Sequence, residues 1–251
     1  MNKIGFNKNI ESLPSFDKFQ SIVNQRVMFL KFFNQEVSCK LKFSKEEFKA
    51  CRKQSLFNIF IKKIYSHLLY TDNSTNSFKL DIEKSIKINK FLKKTNKEND
   101  FKFKNFSFSN KNRVDINIAV SLIDILEESG CSLYLDGNKI FKNFVSNKII
   151  KNNESKKIDV NSDSIDIVSE ENSFRTKIFT FWEFINSKSL QIDEHIQKAI
   201  SCINSSDFKQ IYLVYPKNEN FDKHIRIRTE GITCSEYEIK LIPYSLRSTL
   251  R

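Results

Sequence analysis

Between residues 139 and 168 the hydrophobic period of the chain changes from that of a helix to that of a strand. Phe141, Phe144 and Val145 recur at helical spacing. Ile149 and Ile150, then Ile158 and Val160, then Ile165 and Ile167 follow as short apolar pairs with lysine and asparagine between them. Those pairs predict short strands. A chain whose period switches inside thirty residues has to fold with both element types. The pattern therefore asks what a short basic helix running into a basic hairpin does.

The periodicity elsewhere agrees with this mixture. Phe19, Ile22, Val23, Val27, Leu30 and Phe33 suit a helix. Ser44 and Glu47 have the spacing of a capping box, which predicts a second helix over about 45–70. TDNSTNS at 71–77 reads as a loop. Ile82, Ile86 and Phe91 suggest a third short helix. DINIAVSLIDILEESG at 115–130 gives the clearest helical pattern, and Gly130 suits the left-handed residue that closes a helix. A loop containing Asp136 and Gly137 is expected next. TKIFTFWEFI fits either strand or helix. LQIDEHIQKAISCI reads as an amphipathic helix, and QIYLVYP, HIRIR and YEIKLIPY read as three strands.

Composition narrows the partner. The 251 residues carry 42 Lys and Arg against 30 Asp and Glu, a formal net charge of +12. An excess of that size favours an anionic partner, nucleic acid before a membrane surface. The plain alternative is a solvated lysine surface. No apolar run approaches the roughly 18–20 residues of a membrane span, so no membrane role is expected. The opening MNKIGFNKNIESLPSF has neither the apolar block of a secretory signal nor the arginine-rich look of an import presequence. Phenylalanine occurs 24 times, but Ala50, Ala119 and Ala199 are the whole alanine complement. Alanine is the best helix former, so its scarcity points to coding in a very AT-rich genome. That suggests an organelle-encoded, mitochondrial protein, with a cytoplasmic one as the alternative. Cys39, Cys51, Cys131, Cys202 and Cys234 are odd in number and widely spaced, without a CxxC pair. No metal site and no cofactor are expected.

The segment 93–113, KKTNKENDFKFKNFSFSNKNR, is the most charged. It fits an edge strand or a loop anchored by its rings, or an arm laid on nucleic acid, with Lys102 and Lys104 on phosphates. Further along, Lys139, Lys142, Lys148 and Lys151 could share one rim that reads phosphate spacing, with Asn143, Asn152 and Asn153 adding hydrogen bonds.

Arg113-Val114-Asp115, then FKNFVSNKIIKNN at 141–153, then SIDIV at 164–168 preceded by Asp163, follow one another in an order that resembles the S-four RNA-binding domain. That family opens its first helix with Arg-Leu-Asp. Its second helix ends at a basic turn before Ile-x-Val-Asn, and Asn152 stands at the family's asparagine. The departures are Phe141 for alanine, Lys142 for arginine, a longer segment between the helices and two missing glycines. A generic helix-and-hairpin element is the alternative. The resemblance implies a small-subunit ribosomal protein, not an enzyme, bound to ribosomal RNA and to neighbouring ribosomal proteins, without a small-molecule substrate. It implies an α+β chain with three parts. These are a helical region with a basic arm at 1–110, an S-four-like pair of helices on a small sheet at 111–170, and a mixed α/β extension at 171–251. Its RNA-binding residues would be Lys102, Lys104, Lys111, Arg113, Lys139, Lys142, Asn143, Lys148, Lys151, Asn152, Lys156 and Lys157.

Catalytic patterns are sparse. The chain has no P-loop, no GxGxxG and no HExxH. His67, His195 and His224 are far apart in sequence. His195 is expected at the surface or the boundary of an amphipathic helix, and the acidic pair Asp193 and Glu194 needs no catalytic role. His224, in FDKHIRIR, could serve a metal-independent ribonuclease with Glu11 or Glu219 as partner, or could simply lie on a basic strand touching phosphate. An RNA-acting enzyme, either a modification enzyme or a tRNA ribonuclease, is thus the alternative function. A protein-only interaction module is a third.

Overall fold

A computed structural model of the chain describes residues 3–13, 21–69, 82–96, 113–128, 130–153, 155–169, 174–228 and 237–246. The described residues form a mixed α/β structure in two compact units. One comprises 1–4, 14–35 and 135–251, and the other comprises 5–13 and 36–134. The residue-171 boundary expected from sequence falls between two paired strands of the first unit.

The second unit is mainly helical. Its elements include a short α2 (Lys45–Ala50), α3 (Leu56–Leu69), α4 (Ile82–Asn96) and α5 (Arg113–Glu127). The helix expected over 45–70 is two helices, broken by the turn after Cys51. The predicted capping box is present: the Glu47 N–H donates to Ser44 Oγ, and the Ser44 N–H donates to Glu47 Oε2. At the end of α5 both Gly130 (φ 69°) and Cys131 (φ 63°) take the left-handed conformation, and the Cys131 N–H reaches back to the Leu126 carbonyl. Phe57, Phe60, Ile64, Leu68, Phe91, Ile116 and Leu122 are among its buried side chains. Gly5 lies in this unit, where a Cβ would meet the Leu133 carbonyl oxygen at 2.0 Å. Cys39, Cys51, Cys131 and Cys202 are free thiols.

The first unit is built on a six-stranded mixed sheet, whose strands are β4 (Lys157–Val160), β5 (Ile165–Ser169), β6 (Phe174–Thr180), β7 (Gln210–Pro216), β8 (Ile225–Ile227) and β9 (Glu238–Tyr244). Their order is β4-β5-β6-β7-β9-β8. The pairs β4–β5, β5–β6 and β8–β9 are antiparallel, whereas β6–β7 and β7–β9 are parallel. The parallel step from β6 to β7 needs a crossover, and α7 (Asp193–Ser205) supplies it. One sheet face packs Ile165, Ile178 and Val214 against Phe141, Phe144 and Val145 of α6 (Gly137–Asn152) and against Met28 and Phe32 of α1 (Ile22–Glu36). The other packs Phe179, Ile211, Leu213 and Leu241 against Ala199 and Ile203 of α7. Every second residue of a strand faces the same side, so both faces are filled.

Two local expectations change here. Ile149 and Ile150 are not strand residues, because α6 runs unbroken to Asn152. Asp136 is not in a loop. It ends the strand β3 (Leu133–Asp136) and caps α6, accepting from the N–H groups of Asn138 and Lys139 at 2.9 and 3.3 Å. The expected S-four arrangement of two helices on a small separate sheet is replaced by a wide mixed sheet with α6 and α1 on one face and α7 on the other. SIDIV is an inner strand of that sheet and not the closing strand of a small module.

Candidate functional site

Along β5 and β6 the apolar alternation is interrupted at one facing pair. Asp166 lies directly opposite Lys177, on the same face as Phe179. Lys177 Nζ lies 3.1 Å from Asp166 Oδ2, and the two side chains keep only 15% and 17% of their surface exposed. Asp166 also accepts from Asn161 Nδ2 at 2.9 Å and from Ser164 Oγ at 3.2 Å. Three donors on one carboxylate fix its orientation. The Lys177 ammonium sits 4.4 Å from the centroid of the Phe208 ring.

The turn between β4 and β5 carries a second pair. Asp163 Oδ2 lies 3.0 Å from Lys198 Nζ of α7. The Lys198 hydrogen bond holds the Asp163 carboxyl below its usual range, with the charges of Lys198 and Lys177 adding to the effect against a smaller burial cost. From the other face Lys142 of α6 donates to the carbonyls of Asn161 and Ser162, each at 2.7 Å. The turn is thus clamped by lysines from two helices. It borders a cavity of about 330 Å³ lined by Asp136, Asn138, Lys139, Lys142, Asp163, Thr180, Phe181 and Lys198. The cavity lies at the carboxyl end of β6, where open α/β sheets place their ligands. Its wall is tied down further by the Trp182 N–H, which donates to Asn138 Oδ1 at 2.8 Å.

Beside Phe181 lies a buried aromatic stack. The Phe181 ring stacks on His195 with centroids 3.6 Å apart, and His195 Nδ1 shares a 2.7 Å hydrogen bond with the Tyr215 hydroxyl. His195 Nε2 faces Glu183 Oε1 at 3.7 Å. Burial pushes the His195 imidazole below its ordinary pKa, against the opposing pull of Glu183 and Glu194. Burial likewise pushes the Tyr215 phenol strongly up. His195 is half-buried under a ring, a boundary position as the sequence reading allowed.

The residues singled out from sequence are distributed as follows. Lys102, Lys104 and Lys111 lie outside the described residues, and Arg113 opens α5. Lys139 and Lys142 reach the cavity. Asn143 is half-buried on α6, and Lys148 lies with its ammonium 5.1 Å from the Tyr244 ring centroid. Lys151, Asn152, Lys156 and Lys157 are exposed, with Lys157 3.8 Å from Asp159. Glu11 accepts from the Leu56 N–H at 2.6 Å. Sequence reading did not single out Asp136, Asn138, Asp166, Lys177 or Lys198. For Asp166 and Lys177 the available signal was a charged residue at the inward phase of each of two consecutive strands.

Among the described residues no cluster of three His, Cys, Asp or Glu side chains could hold a metal ion. The two aspartates are already engaged by lysines, so a divalent cation does not fit the described side chains. No helix among the described residues is long and apolar enough to cross a membrane.

Comparison with known proteins gives no matching family model and no matching curated protein. The fold is similar to a chain in a solved assembly from Thermococcus gammatolerans, described as a half-complex of McrB AAA+ hexamers with bound McrC. The TM-score is 0.60 at 12% identity, over 98% of this chain and 78% of that one. This likeness overturns the small-subunit ribosomal reading. The fold resembles a chain of that assembly over nearly the whole of this chain and does not show an S-four module, so ribosomal RNA, ribosomal proteins and a non-enzymatic scaffold role are withdrawn together. The mitochondrial-ribosome role is withdrawn with them.

Proposed function

We propose that this chain is an enzyme-type subunit of a nucleoside-triphosphate-driven assembly, acting on polynucleotide phosphodiesters at the aspartate–lysine cluster of β5 and β6. The observation that carries the reading is the Asp166–Lys177 pair. A buried ion pair adds little net stability, because desolvation offsets most of its attraction. Placed beside a cavity and a second pair, Asp163–Lys198, it reads as a working site. Lys139 and Lys198 supply positive charge at the cavity wall, where a phosphate would enter. Lys198, which lines the cavity, is placed to stabilise charge developing on the phosphoryl oxygens, and the Asp166–Lys177 pair adjoins it through Asp163. Asp163, held ionised, is placed to accept a proton from an attacking water.

The neighbouring fold supports the assembly part of the reading. The 251 residues contain no GxxxxGK[ST] loop, so triphosphate hydrolysis falls to a partner of the AAA+ kind. The test is incubation of the purified chain with end-labelled single- and double-stranded DNA, with and without divalent cations. Cleavage is expected, and Lys177→Ala and Asp166→Asn are expected to lower its rate per folded molecule by about 10²–10³-fold, well beyond the share lost to the stability that breaking the pair costs. No cleavage by the wild type, together with unchanged DNA affinity in Lys198→Ala, would defeat the proposal.

A further inference from the structure

A second cavity, separate in its lining residues from the first, lies at the other edge of the sheet. It measures about 620 Å³ and is lined by Tyr212, Asp222, Lys223, His224, Lys240, Ile242 and Pro243. Its origin is a mismatch of strand lengths. β8 has three residues and β9 has seven. Their ladder ends at Ile225↔Leu241, so Ile242 and Pro243 run on past the start of β8. Pro243 has no N–H to offer a further strand, which suits an edge. The chain entering β8 turns away there, leaving a notch floored by apolar side chains.

The wall of the notch is fixed in place. Asn218 and Phe221 exchange backbone hydrogen bonds at 3.1 and 3.2 Å, closing a tight turn before Asp222. Phe221 is fully buried, edge-on to Tyr215 with centroids 6.2 Å apart. The Asn218 side chain is buried too and donates to the Ile185 carbonyl at 3.1 Å. Asp222, Lys223 and His224 are therefore presented on an anchored support, which lowers the ordering cost of binding. The Lys240 ammonium is held at 2.5 Å by Glu238 and lies 5.6 Å from the Tyr212 ring centroid. It shapes the floor, and Lys223 and His224 are exposed at the rim.

An apolar and aromatic floor beside an exposed cationic rim matches one unit of a single-stranded polynucleotide. We infer that this notch binds a nucleotide of single-stranded DNA. The base lies on Ile242, Pro243 and the Tyr212 side, Lys223 and His224 hold its phosphate, and Asp222 accepts a hydrogen bond from the base. The volume is within the range of small-ligand sites. The inference uses none of the residues of the aspartate–lysine cluster and stands apart from the cleavage reading.

The test is fluorescence anisotropy of the full chain with labelled oligo-dT and with an abasic oligonucleotide of equal length. Tighter binding of oligo-dT, by about tenfold or more, is expected from stacking of the base. Lys223→Glu with His224→Ala is expected to remove that preference, while Lys198→Ala keeps it. Photo-crosslinking of an iodouracil oligonucleotide should label peptides spanning 222–224 or 242–244, a readout that needs no variant. Equal affinity for the two oligonucleotides, or crosslinks confined to other peptides, would overturn the inference.

Discussion

His195 stands at the boundary of its amphipathic helix, as its sequence neighbours allowed. What they did not show is its company: the imidazole lies under Phe181 and against Tyr215. Burial favours the neutral ring, so its folded pKa lies below the ordinary 6.5 of the unfolded chain. As pH falls the unfolded state takes up the proton first. The stabilisation is present above 6.5 and is lost as pH drops through the lowered folded value. The groups facing it are Tyr215, Glu183, Glu194 and Lys198, and the two glutamates oppose the shift. Thermal melts between about pH 5 and 7.5 should show a falling midpoint toward acid, with a shallower slope in His195→Gln. A midpoint that rises toward acid would mean that Glu183 and Glu194 outweigh burial.

At the scale of an element, α2 shows a cap doing two tasks. Glu47 closes the capping box on Ser44, and both its oxygens also lie 3.0 Å from Lys63 Nζ of α3. Lys63 donates to the Lys42 carbonyl at 2.9 Å as well, and it is only 7% exposed. Glu47→Ala removes the cap and strands a buried ammonium, an expected loss of about 3–5 kcal/mol in urea unfolding. Lys63→Met removes the charge along with its need for a partner, and it should cost clearly less. Equal losses would show that the ion pair itself, common to both variants, matters and that neither the cap nor the stranded charge adds to it. The cap was legible in the sequence because it depends on residues three apart. The end of α6 was not. Ile149 and Ile150 favour strand locally, but Asp136 caps the helix, and Ile140, Phe141, Phe144 and Val145 bury its face. Packing overrides a weak local preference. The strands QIYLVYP and YEIKLIPY were legible as strands, but their parallel pairing was not, because nothing in either run encodes its neighbour.

At the scale of the whole molecule the net charge of +12 favours an anionic partner. On the proposed reading that partner is DNA, and counterion release would make the association steeply salt-dependent. Raising salt from about 50 to 200 mM should weaken oligonucleotide binding by about 10³-fold if roughly six phosphates are contacted. A flat response in anisotropy would show that the lysines are merely solvated. The proposed cluster was hidden from sequence reading because Asp166 and Lys177 meet only through strand register, and Asp163 meets Lys198 only through the β6–α7–β7 crossover. One further property follows from the path of the chain. The first unit takes Met28 and Phe32 from near one end of the sequence and joins them to Phe144, Trp182, Val214 and Leu246. During synthesis the apolar side of α1 must wait for more than a hundred residues before its partners leave the ribosome. A nascent chain of this protein thus holds a sticky surface for most of its translation, and a holdase that engages α1 early should raise the yield of folded product more than one added after release.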